Sequence, residues 1–171
     1  MNAIVVADQR WAIGHNGGLL FSLPTDMKRF RSLTLDGTVI MGHLTLNSFP
    51  EGKPLSRRRN IVITRNAGNL PEGVESASSP EKALALAGGP EAENLWIIGG
   101  GSIYAALLSR CRRVFLTRVE TKVKESDTFF PNLDKLPNWE VESSSELMEE
   151  NDLKFRFIQY INTKLPESDP A

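Results

Sequence analysis

Short apolar runs alternate with helix-spaced segments through the first two thirds of the chain, and this alternation constrains the fold more than any other feature. Residues 3–7 (Ala-Ile-Val-Val-Ala) are uninterruptedly apolar, as a strand buried on both faces must be. Residues 38–41, 61–64, 95–98 and 114–119 read the same way. Between them the spacing predicts helices over 24–33, 44–49, 80–87 and 102–108. Ser79-Pro80-Glu81 is a good helix start, with a capping hydroxyl, a proline in the first turn and then an acid. Strand–helix–strand alternation implies parallel pairing through crossovers.

The last third changes character. Residues 139–143 and 154–162 are strand-like, with about ten mostly polar residues and no apolar helix between them. They are expected to pair antiparallel as a hairpin. In Phe155-Arg156-Phe157-Ile158-Gln159-Tyr160 the alternation slips at Ile158, which predicts a β-bulge there. The expected fold class is α/β: a mixed, mostly parallel central sheet of about eight strands, helices on both faces and a C-terminal antiparallel hairpin. Residues 1–163 form the expected single domain, and 164–171 (ending Glu-Ser-Asp-Pro-Ala) read as a flexible tail. In such sheets ligands bind beyond the carboxyl ends of the strands.

Composition removes several classes of function. The chain has 171 residues, with 20 Lys and Arg against 21 Asp and Glu, for a net charge of −1. That balance argues against a partner built on a phosphate backbone or an acidic membrane. No apolar run approaches the roughly 20 residues that span a bilayer. The short apolar stretch at the N-terminus has no basic region before it, so it does not read as a secretory signal. Cys111 is the only cysteine, which excludes an internal disulfide and fits a reducing cytoplasm. With only His15 and His43 beside it, the residue count argues against a dedicated zinc site. There is no G-x-S-x-G elbow of a serine hydrolase.

Five segments are candidates for chemistry. In Leu23-Pro24-Thr25-Asp26-Met27-Lys28-Arg29-Phe30-Arg31-Ser32-Leu33 the apolar residues fall at 23, 27, 30 and 33. Asp26 lies on that stripe, while Lys28, Arg29 and Arg31 lie off it. A carboxylate on a buried face is costly unless hydrogen-bonded, and such a group in a cleft has a raised pKa. The alternative is a solvated acid favoured by the helix dipole. In Trp96-Ile97-Ile98-Gly99-Gly100-Gly101-Ser102-Ile103-Tyr104 a buried strand meets three glycines and a helix, an arrangement suited to a diphosphate. Tyr104 occupies the third glycine position of G-x-G-x-x-G, and Glu120 lies at the end of the next strand, so either a variant Rossmann site or a ligand-free turn fits. Thr38-Val39-Ile40-Met41-Gly42-His43-Leu44-Thr45 repeats the strand–glycine–helix pattern. Arg57-Arg58-Arg59 and Arg65 suit carboxylates or phosphates, or form a solvated loop. Residues 8–21 hold three glycines and form either a mobile lid or a plain surface loop.

Taken in order, these segments resemble the dihydrofolate reductase family over nearly the whole chain. Trp11-Ala12-Ile13-Gly14 resembles its flexible-loop motif. Leu23-Pro24-x-Asp26 with Phe30 resembles its acidic helix. Val39-Ile40-Met41-Gly42-x-x-Thr45, Pro54-Leu55-x-x-Arg58-Arg59-Asn60 and Ile97-Ile98-Gly99-Gly100-Gly101-x-x-Tyr104 resemble three further motifs. Leu116-Thr117 and Asp127-Thr128-x-Phe130-Pro131 complete the series.

The resemblance implies NADPH-dependent hydride transfer to C6 of dihydrofolate with protonation at N5. It implies that Asp26 binds the pteridine 2-amino group and N3, and that Thr117 hydrogen-bonds Asp26, with Leu19 and Phe21 of the lid nearby. Ile4, Val5, Met27, Phe30, Ser48, Phe49, Leu55, Ile98 and Tyr104 would surround the folate. Arg58 would grip the α-carboxylate of its glutamate tail. Val6, Ile13 and Gly14 would hold the nicotinamide carboxamide. Gly42, Leu44, Thr45 and Gly99, Gly100, Gly101, Ser102, Ile103 and Tyr104 would hold the diphosphate. His43, Thr64 and Arg65 would face the adenosine 2′-phosphate. It further implies no metal, a cytoplasmic monomer, a place in one-carbon metabolism, and antifolates such as trimethoprim and methotrexate as ligands.

The chain departs from the family pattern at several positions. Leu20-Phe21 stand where Pro-Trp is usual, and Phe21 has no indole N–H. His43 replaces the usual arginine, which either weakens preference for NADPH or leaves it to Arg65. Leu46 replaces an aromatic residue, and Ser56-Arg57 replace Pro-Gly. Two other functions fit the same architecture: a pyrimidine reductase of riboflavin-biosynthesis type, and a nucleotide-binding module without catalysis, with RNA contact through the triple arginine as a remote variant.

Overall fold

The computed structural model describes residues 1–165, so the expected tail over 166–171 lies outside the described residues. In chain order the strands are β1 (Asn2–Ala7), β2 (Ala12–His15), β3 (Gly18–Leu19), β4 (Thr38–Gly42), β5 (Arg59–Ile63), β6 (Val74–Ala77), β7 (Leu95–Gly99), β8 (Arg113–Val119), β9 (Thr128–Phe129), β10 (Trp139–Ser144), β11 (Met148–Glu150) and β12 (Leu153–Asn162). The helices are α1 (Pro24–Thr34), α2 (His43–Asn47), α3 (Pro80–Leu86) and α4 (Gly101–Leu107). The central sheet runs β10-β12-β8-β1-β7-β4-β5-β6, with β11 also on β12. Pairing is parallel from β8 to β6 and antiparallel from β8 through β12 to β10 and β11.

The apolar runs are continuous because the sheet is covered on both faces. Along β4, Val39 and Met41 pack with Leu46 of α2 and Phe30 and Leu33 of α1, while Ile40 packs with Ala83 and Leu84 of α3 and Ile103 and Leu107 of α4. Along β7, Leu95 and Ile97 join the α3–α4 side, and Trp96 and Ile98 the α1–α2 side. Each residue in such a run has a core to enter, whichever way it points.

All seven strands named from the sequence are present, and three readings are corrected. The break in alternation at Ile158 is not a bulge. β12 runs against β8 in unbroken register from Phe155↔Val119 to Ile161↔Arg113. Phe157 and Ile158 are simply neighbours entering opposite cores. The bulge is on the partner strand, where the register shifts between Val141 and Ser143 of β10. The tight hairpin is β11–β12, around Asn151 and Asp152, both at positive φ. β10 pairs with the other end of the same edge of β12. Finally, α1 buries a different set from the apolar stripe. Arg29 is half-buried, whereas Met27 is 60 % exposed.

Residues 8–21 are more ordered than a plain loop. β2 and β3 form a hairpin across Asn16 and Gly17, both at positive φ, and β9 pairs with β2 to make a second, three-stranded sheet. Asn-Gly between short strands is a strong hairpin signal. Asp8, fully buried at the end of β1, anchors the hairpin's root. Its Oδ1 accepts from the backbone N–H of Arg10 (2.8 Å) and of Ala12 (2.9 Å), and its Oδ2 from that of Val123 (2.8 Å). The carboxylate thus joins two loops that lie more than a hundred residues apart in sequence. Asp8→Ala leaves three backbone donors without partners, that of Ala12 buried and the other two partly so, and an orphaned buried donor costs about 1–3 kcal/mol. The variant is expected to lose at least about 2 kcal/mol in urea unfolding; a loss below half that value would show that Asp8 is not the anchor.

Candidate active site

The site begins with Asp26, in the first turn of α1. That helix has Leu23 at its N-cap, with no side-chain cap of its own, and Pro24 as its first residue. The cap comes from the distant hairpin. The backbone N–H and hydroxyl of Thr25 both donate to the Glu150 carboxylate of β11, at 2.9 and 2.6 Å. This contact ties the helix start to the sheet edge and holds Glu150 below the ordinary carboxylate range. Thr117 of β8 then donates its hydroxyl to Asp26 Oδ1 at 2.5 Å. The expectation that Asp26 sits on a buried, partnered face is met, and a solvated first-turn acid is not what is found. Burial pushes its pKa above the ordinary 3.8; the Thr117 hydrogen bond and the Arg29 charge oppose the rise, and Glu150 adds to it.

Around Asp26 the half-buried side chains of Phe30, Phe49, Leu55 and Ile98 pack against the cluster containing Ile4. Arg58 lies at the far end of α1. Its Nη1 donates to Thr34 Oγ1 (3.2 Å), its Nε donates to the Ser56 carbonyl (2.9 Å), and its Cζ lies 5.9 Å from the Phe30 ring. Buried Asn60 shapes this loop by accepting from Leu55 N and donating to the Leu55 and Arg58 carbonyls. Its part was not read from the sequence, although an asparagine closing the Pro-Leu-x-x-Arg-Arg motif was the available signal. The three consecutive arginines diverge: Arg57 pairs with Asp36, Arg59 with Glu75, and Arg58 turns to α1. They form no single basic surface.

Strands β4 and β7 are neighbours, so their two glycine turns lie side by side. The glycines here are required by close approach. Gly99 has φ +121°, and a Cβ on it would sit 3.3 Å from the Tyr104 ring. A Cβ on Gly101 would lie 2.7 Å from Thr128 Cγ2, which leaves no room for a side chain. A cavity of about 330 Å³ opens beside these turns, lined by Ile63, Thr64, Arg65, Ser78, Pro80, Ser102 and Ile103. The sequence marks Pro80 only as part of a helix start and gives Ser78 no role; the end of β6, beside β5, brings both here. Arg65 is exposed and has no ion-pair partner among the described residues. His43 Nδ1 lies 3.5 Å from Thr64 Oγ1.

Several expected site residues are placed differently. The Val5 side chain enters the α3–α4 core, opposite Ile4, so only its backbone can face the cleft. Ser48 directs its hydroxyl to the Thr45 carbonyl at 2.6 Å. The Tyr104 hydroxyl is buried and donates to the Ile4 carbonyl at 2.6 Å, so it braces β1 against α4. Phe21 packs on the Leu23–Val119–Phe155 cluster. Leu19, Met27 and Leu44 are exposed, at 79, 60 and 72 %. Ile13 is buried in the main core, and Val6 joins the Phe21 cluster. Gly14 and Asp127 hold β2 against the 120s loop: Asp127 N–H donates to the Gly14 carbonyl, and Asn16 N–H donates to Asp127 Oδ2. The variant Rossmann reading fails, because β1 separates β8 from β7 and Glu120 accepts from Gln9 instead. Among the described residues no group of three or more His, Cys, Asp or Glu is placed to hold a metal ion.

Comparison with known proteins agrees with this geometry. The family model described as dihydrofolate reductase matches residues 1–162. The chain is similar to a dihydrofolate reductase of Neisseria meningitidis, 35 % identical over 158 residues, covering 92 % of this chain and 95 % of that one. It is also similar to a bifunctional dihydrofolate reductase-thymidylate synthase of Arabidopsis thaliana, 36 % identical over 178 residues; this chain spans about a third of that protein's length (94 % of this chain, 34 % of that one). A solved structure of the Enterococcus faecalis dihydrofolate reductase, complexed with NADP(H) and RAB-propyl, superposes with a TM-score of 0.83 at 29 % identity, covering 95 and 96 % of the two chains.

The raised pKa of Asp26 has a consequence for stability. In the unfolded chain its carboxyl ionises near 3.8, and in the folded chain only at higher pH. Folding therefore bears no penalty from Asp26 below the unfolded value, and the penalty grows as pH rises through the folded value. Asp26→Asn is expected to melt higher than the wild type at pH 8, with the gain shrinking toward pH 4. A gain independent of pH, or a loss at pH 8, would contradict this.

Proposed function

Since the chain belongs to the dihydrofolate reductase family, we propose that it reduces 7,8-dihydrofolate to 5,6,7,8-tetrahydrofolate through the cleft built around Asp26. The reaction is NADPH-dependent. The observation that carries the assignment of the site is the partly buried Asp26 carboxyl accepting from Thr117 beside an apolar wall. This pair, with Arg58 next to Phe30, favours a folate over the phosphoribosyl-aminopyrimidine of the alternative reductase. A carboxyl suits the edge of a pteridine, because its two oxygens accept from the 2-amino group and N3 together. Ile4, Phe30, Phe49, Leu55 and Ile98 surround the rings, and Arg58 meets the α-carboxylate of the glutamate tail.

The cofactor fits the residues present. The two glycine turns lie side by side at the ends of β4 and β7, and Arg65, without an ion-pair partner among the described residues, offers a cation at the adjoining cavity. Gly42, Leu44, Thr45 and 99–103 would hold the diphosphate, Thr64, Arg65 and His43 the adenosine 2′-phosphate, and Val6, Ile13 and Gly14 the carboxamide. When bound, the reduced nicotinamide supplies the hydride that goes to C6. The chain's own work is positioning and exclusion of water. Asp26 orients the ring through both carboxylate oxygens, and burial raises the pH at which it takes up a proton. The β2–β3 hairpin, with Leu19 and Phe21, closes over the cleft.

Residues 1–163 are read as one catalytic unit that acts as a cytoplasmic monomer in folate metabolism, with dihydrofolate and diaminopyrimidine antifolates as ligands and no nucleic-acid or membrane partner. The dispersal of Arg57, Arg58 and Arg59 supports the first of these exclusions. No helix among the described residues is long and apolar enough to cross a membrane.

The decisive assay is loss of NADPH absorbance on adding dihydrofolate, with NADH in parallel. Rapid oxidation of NADPH is expected. A folded protein that binds NADPH without turnover would refute the assignment. Asp26→Asn is expected to lower turnover about 100-fold or more at neutral pH and least at acid pH; unaltered rates across pH would remove Asp26 from its role. Arg65→Ala is expected to raise KM for NADPH about tenfold while leaving KM for NADH within about twofold, since one charge-assisted contact to the phosphate is lost. Equal changes for both cofactors would refute phosphate recognition by Arg65.

A further inference from the structure

Arg29 lies three residues after Asp26 on α1, so both side chains leave the helix on adjoining positions of one face. It is half-buried, which is unusual for an arginine without a carboxylate bound to it. Its guanidinium carbon sits 4.2 Å from the centre of the Phe157 ring and 5.6 Å from that of Phe115. Both rings are themselves fixed. Phe157 packs against Phe155 in a tilted pair, centroids 5.8 Å apart, and Phe115 meets Trp96 edge-on at 5.0 Å. A planar cation over such faces is attracted by their quadrupoles and held in one place.

The two rings belong to the same strand pair that carries Thr117. Phe157 is the direct partner of Thr117 in the β12–β8 register, and Phe115 is two residues before Thr117 on β8, on the same face. One patch of sheet therefore provides both the hydroxyl that bonds Asp26 and the platform under Arg29. From this arrangement, and resting on the proposed reductase reading, we propose that Arg29 is a positioning residue: it fixes a positive charge beside Asp26 and so lowers the pH at which that carboxyl changes protonation during turnover.

The other groups facing Asp26 do not supply such a charge. β8 contributes the neutral Thr117, and its Arg118 turns to the opposite face, over Trp11. β11 contributes the anionic Glu150, which acts in the opposite sense. The Tyr104 hydroxyl of α4 is neutral and donates to the Ile4 carbonyl. β1 presents Ile4 and Val6. Lys28 on α1 is exposed, and its charge acts on Glu150. Arg29 is thus the cation that faces Asp26. Burial draws its own pKa down and Asp26 draws it up, but an arginine stays charged throughout the working range.

The test is the titration of the Asp26 carboxyl, followed by its carbon-13 resonance and assigned by its absence from Asp26→Asn. Arg29→Met and Arg29→Gln retain the stem over the rings and remove the charge. In both, the midpoint is expected to move up by about half a pH unit to one unit, since half-exposure weakens the field of the charge. Arg29→Lys keeps a cation and is expected to stay close to the wild type. The pH profile of NADPH-dependent turnover is expected to follow the resonance in all three. An unmoved midpoint in both neutral variants, or an equal shift in Arg29→Lys, overturns the proposal. A carboxyl that shifts while the turnover profile stays fixed also overturns it. If the wild type oxidises no NADPH with dihydrofolate, the reductase reading falls, and the resonance still reports separately on the charge.

Discussion

The hydrogen bond from Thr117 to Asp26 joins the sheet to helix α1, and the shape of the cleft depends on it. A carboxylate removed from water is tolerated only where polar partners replace the solvent. Here one partner stands on β8, in the middle of the antiparallel and parallel halves of the sheet. The register β12–β8–β1 is unbroken along its length, so Thr117 cannot shift without moving both neighbours. The same register sets Ile4 opposite Phe115 and Val6 opposite Thr117. Wall, hydroxyl and aromatic platform are then positioned together.

A second constraint acts at the start of α1. The helix has no cap in its own sequence, and its first donors are met by Glu150, well over a hundred residues later. This couples the end of the chain to the orientation of Asp26. It also sets an anion and, through Arg29, a cation on either side of one carboxyl. The result is an acid whose protonation is set by burial first and tuned by opposing charges. Asp8 does related work for the hairpin at the cleft's rim, where one buried carboxylate satisfies three backbone donors from two loops. Both cases show local segments that are incomplete until a distant part of the chain arrives.

Much of the architecture was legible in the sequence. Buried parallel strands announce themselves as short unbroken apolar runs, and the helices between them keep their period. What escaped detection was short or polar on one side. Val74–Ala77 and Met148–Glu150 are strands because a neighbour pairs with them, not because of their composition. Ile158 was misread because local alternation cannot tell a slip from a sheet covered on both faces. The Asn16-Gly17 hairpin was there to be read, and its signal was passed over. In the site, the glycine turns and Asp26 carry local signatures. The roles of Glu150, Ser78 and Asp8 carry none that point to the cleft.

The sequence by itself determined the order of strands and helices, the strand ends where a ligand site can form, and the family to which the motifs point. These follow from local periodicity, backbone freedom at glycine and the cost of burying polar groups. Only the tertiary structure decided which partner each polar group found. It turned Arg29 inward and Met27 outward, sent three adjacent arginines in three directions, and set Val5 behind the sheet. The reason is that a side chain's energy near the site depends on groups brought close by folding from elsewhere in the chain, and no pattern along a single segment records them.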